Sequence, residues 1–287
     1  MSRKVLFVVH AGRESAIEVS RAVASGLMSH GISVLCADDD SALLDIPGVS
    51  AADDSAGCEL VIVFGGDGTI LRAIEIARPH DVPVLGVNLG HVGFLAEAEP
   101  EEIDDVISAV IDGRLVVEER TALHVAVTDA DGRAWESWAL NEVAIEKHQR
   151  ERMANVLVSI DDEPLSQWSC DGVLCSTPTG STAYAFSAGG PVVWPQVDAF
   201  LVVPISAHAL FARSLVVSPK SVIDISVTSG PVIVSCDGRR NCDVATGGQV
   251  RVVRNSQPVK FARVHATTFT ARLVAKFELP VRGWRNQ

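Results

Sequence analysis

Hydrophobic positions in the first third of the chain fall into short continuous runs separated by helical repeats. The runs VLFVV, ISVLC, LVIVF and VPVLGV are typical of strands buried on both faces. A helix is predicted after the first run and ends at Gly31; its apolar positions are Ala16, Val19, Val23 and Leu27. Further helices are predicted over residues 70–78, where Pro79 stops the pattern, and over residues 103–110, before Gly113. This alternation predicts an α/β domain with a Rossmann-like parallel sheet.

From about residue 123 the pattern changes to short alternating strands. These are LHVAVT, NEVAIEK, NVLVSID, VIDISV, PVIVSC, QVRVV and VKFARV, and turn signals such as DG, SG and GG separate them. They predict a β-rich antiparallel domain. We therefore expect an α/β domain over residues 1–122 and a β-rich domain over residues 123–264. Residues 265–287 are expected to form a helix and an irregular end that pack back on the first domain.

Composition narrows the classes of function. The chain has 287 residues, 47% of them hydrophobic, and a net charge of −12, so it can bury a large core, but it lacks the basic surface that nucleic acids and anionic membranes require. No apolar run reaches the roughly 18–20 residues of a membrane span, and the N-terminus lacks a signal-peptide pattern. A cytoplasmic location is expected. An acidic protein that handles phosphate has to concentrate its positive charge or take it from a metal ion.

The six cysteines favour buried thiols over a disulfide framework or a metal site. They are Cys36, Cys58, Cys170, Cys175, Cys236 and Cys242. A zinc site made of the last four is the alternative, but the spacing within each pair differs from that of a zinc ribbon. We therefore interpret them as small hydrophobic residues, and expect neither zinc nor haem.

The motif FGGDGT follows the LVIVF strand and opens a helix. Gly65, Gly66 and Gly68 remove side chains where the backbone turns or approaches a ligand, and the helix directs free N–H groups to that point, as in a phosphate cradle. The motif matches neither a Walker loop nor a dinucleotide fingerprint. Asp67 would repel phosphate, so it has to hold a metal ion or accept a proton from a hydroxyl. The alternative is a structural turn in which Asp67 or Thr69 caps the helix.

A second motif, CDGVLCSTPTGSTAYAFSAGGP, is rich in hydroxyls. They belong to Ser176, Thr177, Thr179, Ser181, Thr182, Tyr184 and Ser187. Such neutral donors suit sugar hydroxyls and phosphates. A serine hydrolase built on Ser181 and His208 is the alternative, although no GxSxG elbow is present. A third motif, LNEVAIEK, places Asn141 and Glu142 at the start of a strand, where alternation sends neighbouring side chains to opposite faces.

Taken together, GGDGT, GVNLGHVGFLAE, NEVAIEK and the hydroxyl-rich block resemble the NAD kinase family, in this order and over nearly the whole chain. The tail RLVAKFELPVRGW resembles the actinobacterial branch. GGDGT alone is shared with diacylglycerol and sphingosine kinases, whereas TPTGSTAY is more specific. The resemblance implies transfer of the terminal phosphoryl group of ATP, or in some members of polyphosphate, to the 2′-hydroxyl of the adenosine ribose of NAD, giving NADP.

The resemblance also implies roles for individual residues. Asp67 is expected to accept the proton of the 2′-hydroxyl. The family positions expected to line the NAD or nucleotide site are Gly68, Asn141, Glu142, Asp171, Thr182, Ala183, Tyr184 and Ser187. Gly66 and Thr69 of the glycine motif and Thr179 of the hydroxyl-rich block are expected to line it as well. Arg72 and Arg152 are candidates for the NAD phosphates, with a solvated helix-face arginine as the alternative for Arg72. Asn88 and Phe94 are expected to shape the pocket floor.

Mg²⁺ is expected to arrive bound to ATP, without a dedicated protein site. NAD and ATP, or polyphosphate, are the expected partners, and a homodimer or homotetramer is the expected assembly. Two other functions stay open. A lipid kinase of the diacylglycerol type would use the same first motif, but it leaves the hydroxyl-rich block unexplained. A catalytically silent NADP(H) sensor would not require a carboxylate at Asp67.

Overall fold

The computed structural model describes residues 3–37, 40, 46–89, 93–96, 102–264 and 268–281. The chain divides into two compact units. The first comprises Met1–Glu119 and Val259–Gln287, and the second comprises Arg120–Pro258.

The first unit contains seven strands and four helices in its described residues. The strands are β1 Lys4–Val9, β2 Ser33–Ala37, β3 Ser50–Ala52, β4 Leu60–Phe64, β5 Val84–Val87, β6 Val116–Arg120 and β19 Val259–Arg263. The helices are α1 Glu14–Ser29, α2 Asp67–Ala77, α3 Ile103–Asp112 and α5 Phe269–Phe277. A 3₁₀ turn over Arg78–His80 extends α2 up to Asp81, whose φ of 57° ends it.

One twisted sheet organises this unit, with the strand order β3-β2-β1-β4-β5-β19-β6. The pairs from β3 to β19 run parallel. Phe7 of β1 and Phe64 of β4 pack edge to face in one core with apolar residues of α1 and α3. Helix α2 buries Ile70, Ala73 and Ile74. The prediction of a parallel sheet covered by helices is therefore confirmed.

The two strands at one end of this sheet, β19 and β6, differ from the sequence prediction, and β3 at the other end was not predicted. The sequence pattern places Val259–Arg263 in the β-rich domain, but this strand pairs in parallel with β5 through Phe261 and Val84. Its short alternating pattern is typical of an antiparallel strand, and the pairing that places it beside β5 is non-local. Val116–Arg120 forms the edge next to it, although its exposed side chains give no hydrophobic run. Helix α5 lies in the expected tail, whereas residues 265–267 and 282–287 lie outside the described residues.

The second unit is built from two six-stranded sheets. The first, in the order β11-β10-β15-β18-β7-β8, contains β7 Leu123–Thr128, β8 Ala134–Ala139, β10 Ala154–Ile160, β11 Glu163–Cys170, β15 Ile223–Ser229 and β18 Gln249–Arg254. The second, in the order β14-β13-β12-β9-β16-β17, contains β9 Glu142–Lys147, β12 Gly172–Ser176, β13 Phe200–Ile205, β14 Leu215–Val217, β16 Val232–Cys236 and β17 Arg240–Val244. A 3₁₀ turn over Thr179–Thr182 and the short helix α4 Tyr184–Ser187 follow β12.

The two antiparallel sheets share one hydrophobic core. Alternate residues supply it, for example Val125 and Val127 of β7 and Val143 and Ile145 of β9, and Trp168 is its largest side chain. This is a β-sandwich, in which each strand turns one face inward. The prediction of a β-rich antiparallel architecture is confirmed for this unit.

Five of the six cysteine side chains are buried, and Cys242 is half-buried. Burial raises the pKa of the Cys36, Cys175 and Cys236 thiols to about 12, so the reactive thiolate is suppressed. The interpretation of these cysteines as buried hydrophobic residues is thus supported. None of the helices in the described ranges is both long and apolar enough to cross a membrane.

Candidate active site

The glycine motif lies between β4 and α2 in the first unit. Strand β4 is wholly buried, and α2 begins directly after Gly66, which has an extended backbone. Asp67 is therefore the first residue of the helix, where unpaired N–H groups and the helix dipole create a positive end. A side-chain Cβ on Gly66 or Gly68 would meet no atom within 4 Å, so the space beside both residues is open. The strand–loop–helix predicted from FGGDGT is present.

Backbone N–H groups from a neighbouring segment hold the Asp67 carboxylate. The Phe94 N–H donates to Oδ2 at 3.2 Å, and the Leu95 N–H donates to Oδ1 at 3.1 Å. Gly93 makes this approach possible, since a Cβ there would lie 2.5 Å from Asp67 Oδ1. One N–H on each oxygen fixes the plane of the carboxylate and leaves further lone pairs for another donor.

Phe94 is in turn held by helix α5. Arg272 Nη1 donates to the Phe94 carbonyl at 3.1 Å, and the Phe94 ring packs against Phe269 and Phe277 with centroids 6.1 and 5.8 Å away. Burial lowers the pKa of Arg272, while the negative charges of Glu118 and Asp67 act in the opposite direction. The tail helix therefore supports the segment that orients Asp67.

Arg72 of α2 is engaged within the unit. It forms a bidentate pair with Asp40, at 2.6 and 3.1 Å, and donates to the Val9 carbonyl at 2.8 Å. The Asp40 side chain is 2% exposed and also accepts the Val9 N–H. Arg72 is thus neither the solvated surface arginine considered above nor an unneutralised positive charge.

Two further predicted residues of this unit are buried. The Thr69 N–H donates to the Gly66 carbonyl in the first turn of α2, and Thr69 is 8% exposed. Asn88 follows β5, is 3% exposed, and accepts the Leu89 N–H. Of the GVNLGHVGFLAE block, residues 90–92 and 97 lie outside the described residues.

In the second unit, Asn141 and Glu142 lie where β9 begins. Strand β9 is antiparallel to both of its neighbours, β12 and β16. Both neighbours therefore end beside its start. The end of β12 supplies Ser176 and Thr177, and the end of β16 supplies Asp237.

Side chains from both neighbours bind the backbone at this point. The Asp237 carboxylate accepts the N–H groups of Leu140, Asn141 and Glu142 at 2.9, 2.7 and 3.3 Å. The Thr177 hydroxyl donates to the Leu140 carbonyl, and the Ser176 hydroxyl donates to the Asn141 carbonyl. Because these backbone groups are all bound by fixed partners, the chain direction at Asn141 and Glu142 is fixed too.

Glu142 is 8% exposed, and its Oε2 is buried without a hydrogen-bond partner in the described structure. Burial and then the charge of Asp237 raise the pKa of Glu142 to about 8, and the Tyr184 N–H opposes this shift. A pKa of about 8 leaves Glu142 mainly protonated at neutral pH. Burial also raises the pKa of Asp237, although its three N–H donors and Arg240 favour its charged form.

The hydroxyl-rich segment packs beside β9. The Tyr184 hydroxyl donates to Glu146 Oε1 at 2.7 Å, and Glu146 shares a strand face with Glu142. Burial and Glu146 raise the pKa of Tyr184 to about 12, so it acts as a hydrogen-bond donor. Asp171 pairs with Lys147 at 2.6 Å, which holds the pKa of Asp171 below its usual value.

The remaining candidates of this unit differ in exposure. The Thr182 hydroxyl donates to the Thr179 carbonyl at 3.3 Å, and Ala183 joins the 3₁₀ turn to α4. Ser187 is exposed on α4, and Arg152 is exposed between β9 and β10. The structure thus brings Asn141, Glu142 and the segment from Thr179 to Tyr184 together, whereas Arg152 lies in a surface turn.

Ser181, the nucleophile of the serine-hydrolase alternative, is completely buried. Its hydroxyl donates to the Pro178 carbonyl and accepts the Val193 N–H at 2.9 Å. It therefore holds the loop closed and is not available to a substrate.

Sequence reasoning missed three contributors to these sites: Glu146, Asp237 and Arg272. Glu146 had a signal, since it lies four residues after Glu142 on the same strand face. Asp237 showed only an Asp-Gly turn, and Arg272 only a place on an amphipathic tail. The described residues contain no group of three or more His, Cys, Asp or Glu side chains that could hold a metal ion.

The sequence matches two family models. Residues 5–115 match the ATP-NAD kinase N-terminal domain, and residues 140–264 match the ATP-NAD kinase C-terminal domain. An NAD kinase of Cutibacterium acnes is 48% identical over 294 residues, covering 99% of this chain and 92% of that protein. NAD kinase 2 of Streptomyces avermitilis is 49% identical over 293 residues, covering 99% of this chain and 97% of that protein.

Solved structures are similar as well. The crystal structure of yeast NADH kinase complexed with NADH has a TM-score of 0.87 and 26% identity, covering 97% of this chain and 87% of that one. That of an NAD kinase from Archaeoglobus fulgidus in complex with ATP has a TM-score of 0.73 and 26% identity, covering 97% of this chain and 99% of that one. With both family models matched and relatives of this similarity along nearly the whole chain, the protein belongs to the NAD kinase family.

Proposed function

We propose that this chain transfers the terminal phosphoryl group of ATP to the 2′-hydroxyl of the adenosine ribose of NAD and so produces NADP. The chain belongs to the NAD kinase family, and the relatives that are similar to it over almost its full length are NAD kinases. The single observation that carries the mechanism is the Asp67 carboxylate, fixed by two backbone N–H groups beside two glycines with open space around them.

Asp67 is proposed to accept the proton of the 2′-hydroxyl. Each carboxylate oxygen already receives one N–H, so a ribose hydroxyl can be bound by a remaining lone pair without turning the group. Phosphoryl transfer depends mainly on positioning and charge neutralisation, so a carboxylate that aligns the hydroxyl and takes its proton is sufficient as a base.

The N-terminus of α2 and the open space at Gly66 and Gly68 are proposed to receive phosphate oxygens. Backbone N–H groups there supply hydrogen bonds and a partial positive charge without an added basic side chain. MgATP enters as the donor substrate, and its Mg²⁺ supplies the positive charge that this acidic chain concentrates poorly.

Asn141, Glu142 and Tyr184 are proposed to bind NAD, with Asp171, Thr179, Thr182, Ala183 and Ser187 nearby in the chain. A protonated Glu142 offers the ligand both a donor and an acceptor. Arg72, bound to Asp40, is proposed to keep α2 in place, and any contact it makes with phosphate is secondary. Arg152, in an exposed turn, is proposed to attract the NAD phosphates.

The test is NADP formation from ATP, Mg²⁺ and NAD, followed with an NADP-specific dehydrogenase. The Asp67→Asn variant keeps the shape of the side chain and is expected to retain NAD binding with kcat lowered at least about 100-fold. Asp54→Asn is the matched control, because Asp54 also accepts a backbone N–H, at 2.8 Å, from Ala56. Undiminished turnover in Asp67→Asn would contradict the role of Asp67 and leave the reaction standing.

Parallel reactions with polyphosphate in place of ATP, and with NADH in place of NAD, define the donor and the acceptor. Well-folded wild type that binds NADP without producing it from either donor would indicate the sensor. Phosphorylation of a diacylglycerol in mixed micelles, with no NADP formed, would indicate the lipid kinase.

The assembly into a homodimer or homotetramer and the cytoplasmic location stay predictions. Light scattering of the purified protein tests the assembly.

A further inference from the structure

The turn between β16 and β17 is built around a buried carboxylate. Its residues Asp237 and Gly238 have φ values of 53° and 65°, both in the left-handed region. Asparagine, aspartate and glycine adopt this conformation most readily. Asp237 is 7% exposed, however, whereas a residue needed only for a surface turn would stay in solvent. Its burial requires another explanation.

The carboxylate of Asp237 binds the start of β9. It accepts the N–H groups of Leu140, Asn141 and Glu142, and the Asp237 N–H donates to the Glu142 carbonyl at 3.0 Å. Four hydrogen bonds thus connect one turn residue to the short segment that carries the proposed NAD-binding pair.

Arg240 fixes the carboxylate from the other side of the turn. Its Nη2 donates to Asp237 Oδ2 at 2.9 Å, and its guanidinium carbon lies 4.0 Å from the centre of the Trp138 ring. A guanidinium that is both stacked and paired has little freedom, so it holds Asp237 in one orientation. Burial raises the pKa of Asp237, while the three N–H groups and Arg240 favour its charged form.

We propose that Asp237, fixed by Arg240, is the positioning residue that aligns Asn141 and Glu142 for NAD. Asp237 does not touch the ligand; it acts through the backbone of the segment whose side chains do. The inference deepens the proposed function and rests on it.

Charge gives a second sign of the connection. Among the described residues, the groups that act on Glu142 are Asp237, with its partner Arg240 on the β16–β17 turn, and the N–H and hydroxyl of Tyr184 on α4. The negative charge of Asp237 contributes to the raised pKa of Glu142. Neutralising Asp237 therefore lowers the pKa of Glu142 even where Glu142 stays buried.

The experiment compares the whole wild-type chain with Asp237→Asn. The amide keeps the size of the side chain but loses the charge and one strong acceptor. We expect the KM for NAD to rise at least about tenfold and the dissociation constant of NAD, measured by calorimetry, to rise equally, whereas the KM for ATP stays within about twofold. The inflection that Glu142 gives to the pH profile of NAD binding should move to lower pH.

Asp129→Asn is the matched control. Asp129 accepts two backbone N–H groups, from Ala130 and Ala245, and pairs with Arg133, so it has the same construction beyond the far end of β17. It should lose stability in the same way and leave the KM for NAD unchanged. Because KM does not depend on the fraction of folded enzyme, the comparison separates positioning from stability.

Arg240→Gln tests the same proposal if Asp237→Asn does not fold. It leaves the carboxylate in place but removes its anchor, and the KM for NAD should rise at least about threefold. The inference about Asp237 would be overturned if the variant that folds, Asp237→Asn or Arg240→Gln, had the same KM and dissociation constant for NAD as Asp129→Asn. A wild type that binds NAD but forms no NADP would count against the proposed function alone, since binding by the variants still reports on Asp237.

Discussion

Replacement of Gly180 by alanine would place a methyl group against the backbone of Asn141, in the segment proposed to bind NAD. The added Cβ would lie 2.0 Å from the Asn141 carbonyl oxygen, 2.4 Å from its carbon and 2.6 Å from the Asn141 Cα. All three are backbone atoms, so no side-chain rotation relieves the overlap. The two segments would have to separate.

The size of the effect follows from this geometry. Real Cβ contacts shorter than 3.0 Å essentially do not occur, so the segments must separate by at least about 1.0 Å. Overpacking of this kind costs about 1–3 kcal/mol. The separation also breaks the hydrogen bonds that the Asn141 carbonyl accepts from the Thr177 N–H and the Ser176 hydroxyl, at about 1 kcal/mol each. We expect Gly180→Ala to lose about 3–5 kcal/mol of unfolding free energy. A displacement of 1 Å in a binding group costs about 100-fold in kcat/KM for NAD.

Urea denaturation and steady-state NADP formation measure the two effects. Val158→Ala is the control for lost stability: Val158 is fully buried in the sandwich core, and its truncation costs roughly 2 kcal/mol without touching Asn141. Its kcat/KM should equal that of wild type. A Gly180→Ala variant whose kcat/KM lies within threefold of this control would refute the argument that Gly180 is required by the approach of Asn141.

Three other perturbations test separate parts of the structure. The folded chain keeps on Glu142 a proton that the unfolded chain loses near pH 4.5, so the stability of wild type relative to Glu142→Gln should fall by about 2 kcal/mol as pH rises from 6 to 8. An equal stability difference between the two proteins in urea denaturation at both pH values would contradict this. Arg272→Met removes the donor to the segment that orients Asp67 and should lower kcat about tenfold with little change in the KM for NAD. Arg272→Lys should restore part of the lost kcat. Equal kcat in wild type and both variants would exclude a role of Arg272 in orienting Asp67. Arg72→Gln leaves the buried Asp40 carboxylate without its ion pair and should lower the unfolding free energy by about 3 kcal/mol, as measured by thermal denaturation. Adding Asp40→Asn should recover part of that loss. A double variant no more stable than the single variant would argue against the buried charge of Asp40 as the cause.

Local patterns in the sequence were enough to predict the strand, loop and helix around Asp67. The buried run before Gly65, the glycines and the helix after them are neighbours in the chain, so the position of Asp67 at the start of α2 follows from a short segment. The N–H groups of Phe94 and Leu95 that fix its carboxylate lie 27 and 28 residues further along. No periodicity connects residues at that separation.

The same distinction applies to the second unit. The alternating pattern predicted that Glu142 lies on a strand. It did not predict the neighbours of β9, because they are segments more than 25 residues away in the chain. Asp237 lies 95 residues from Glu142 along the chain, so the Asp-Gly dipeptide indicated a turn and nothing about its burial. Strand β19 was misassigned for the same reason, because its own pattern does not show that its partner is β5.

The late return of β19 and α5 to the first unit has a consequence for synthesis on the ribosome. Until Val259–Arg263 has emerged, β5 is an open edge, and such edges are prone to pairing with other chains. Until Arg272 has followed, the carbonyl of Phe94 lacks this donor, so the segment that holds the Asp67 carboxylate of a nascent chain lacks its final support. The first unit is therefore completed only after the second has been synthesised, and the segment that holds Asp67 gains its full support only once the tail helix has been translated.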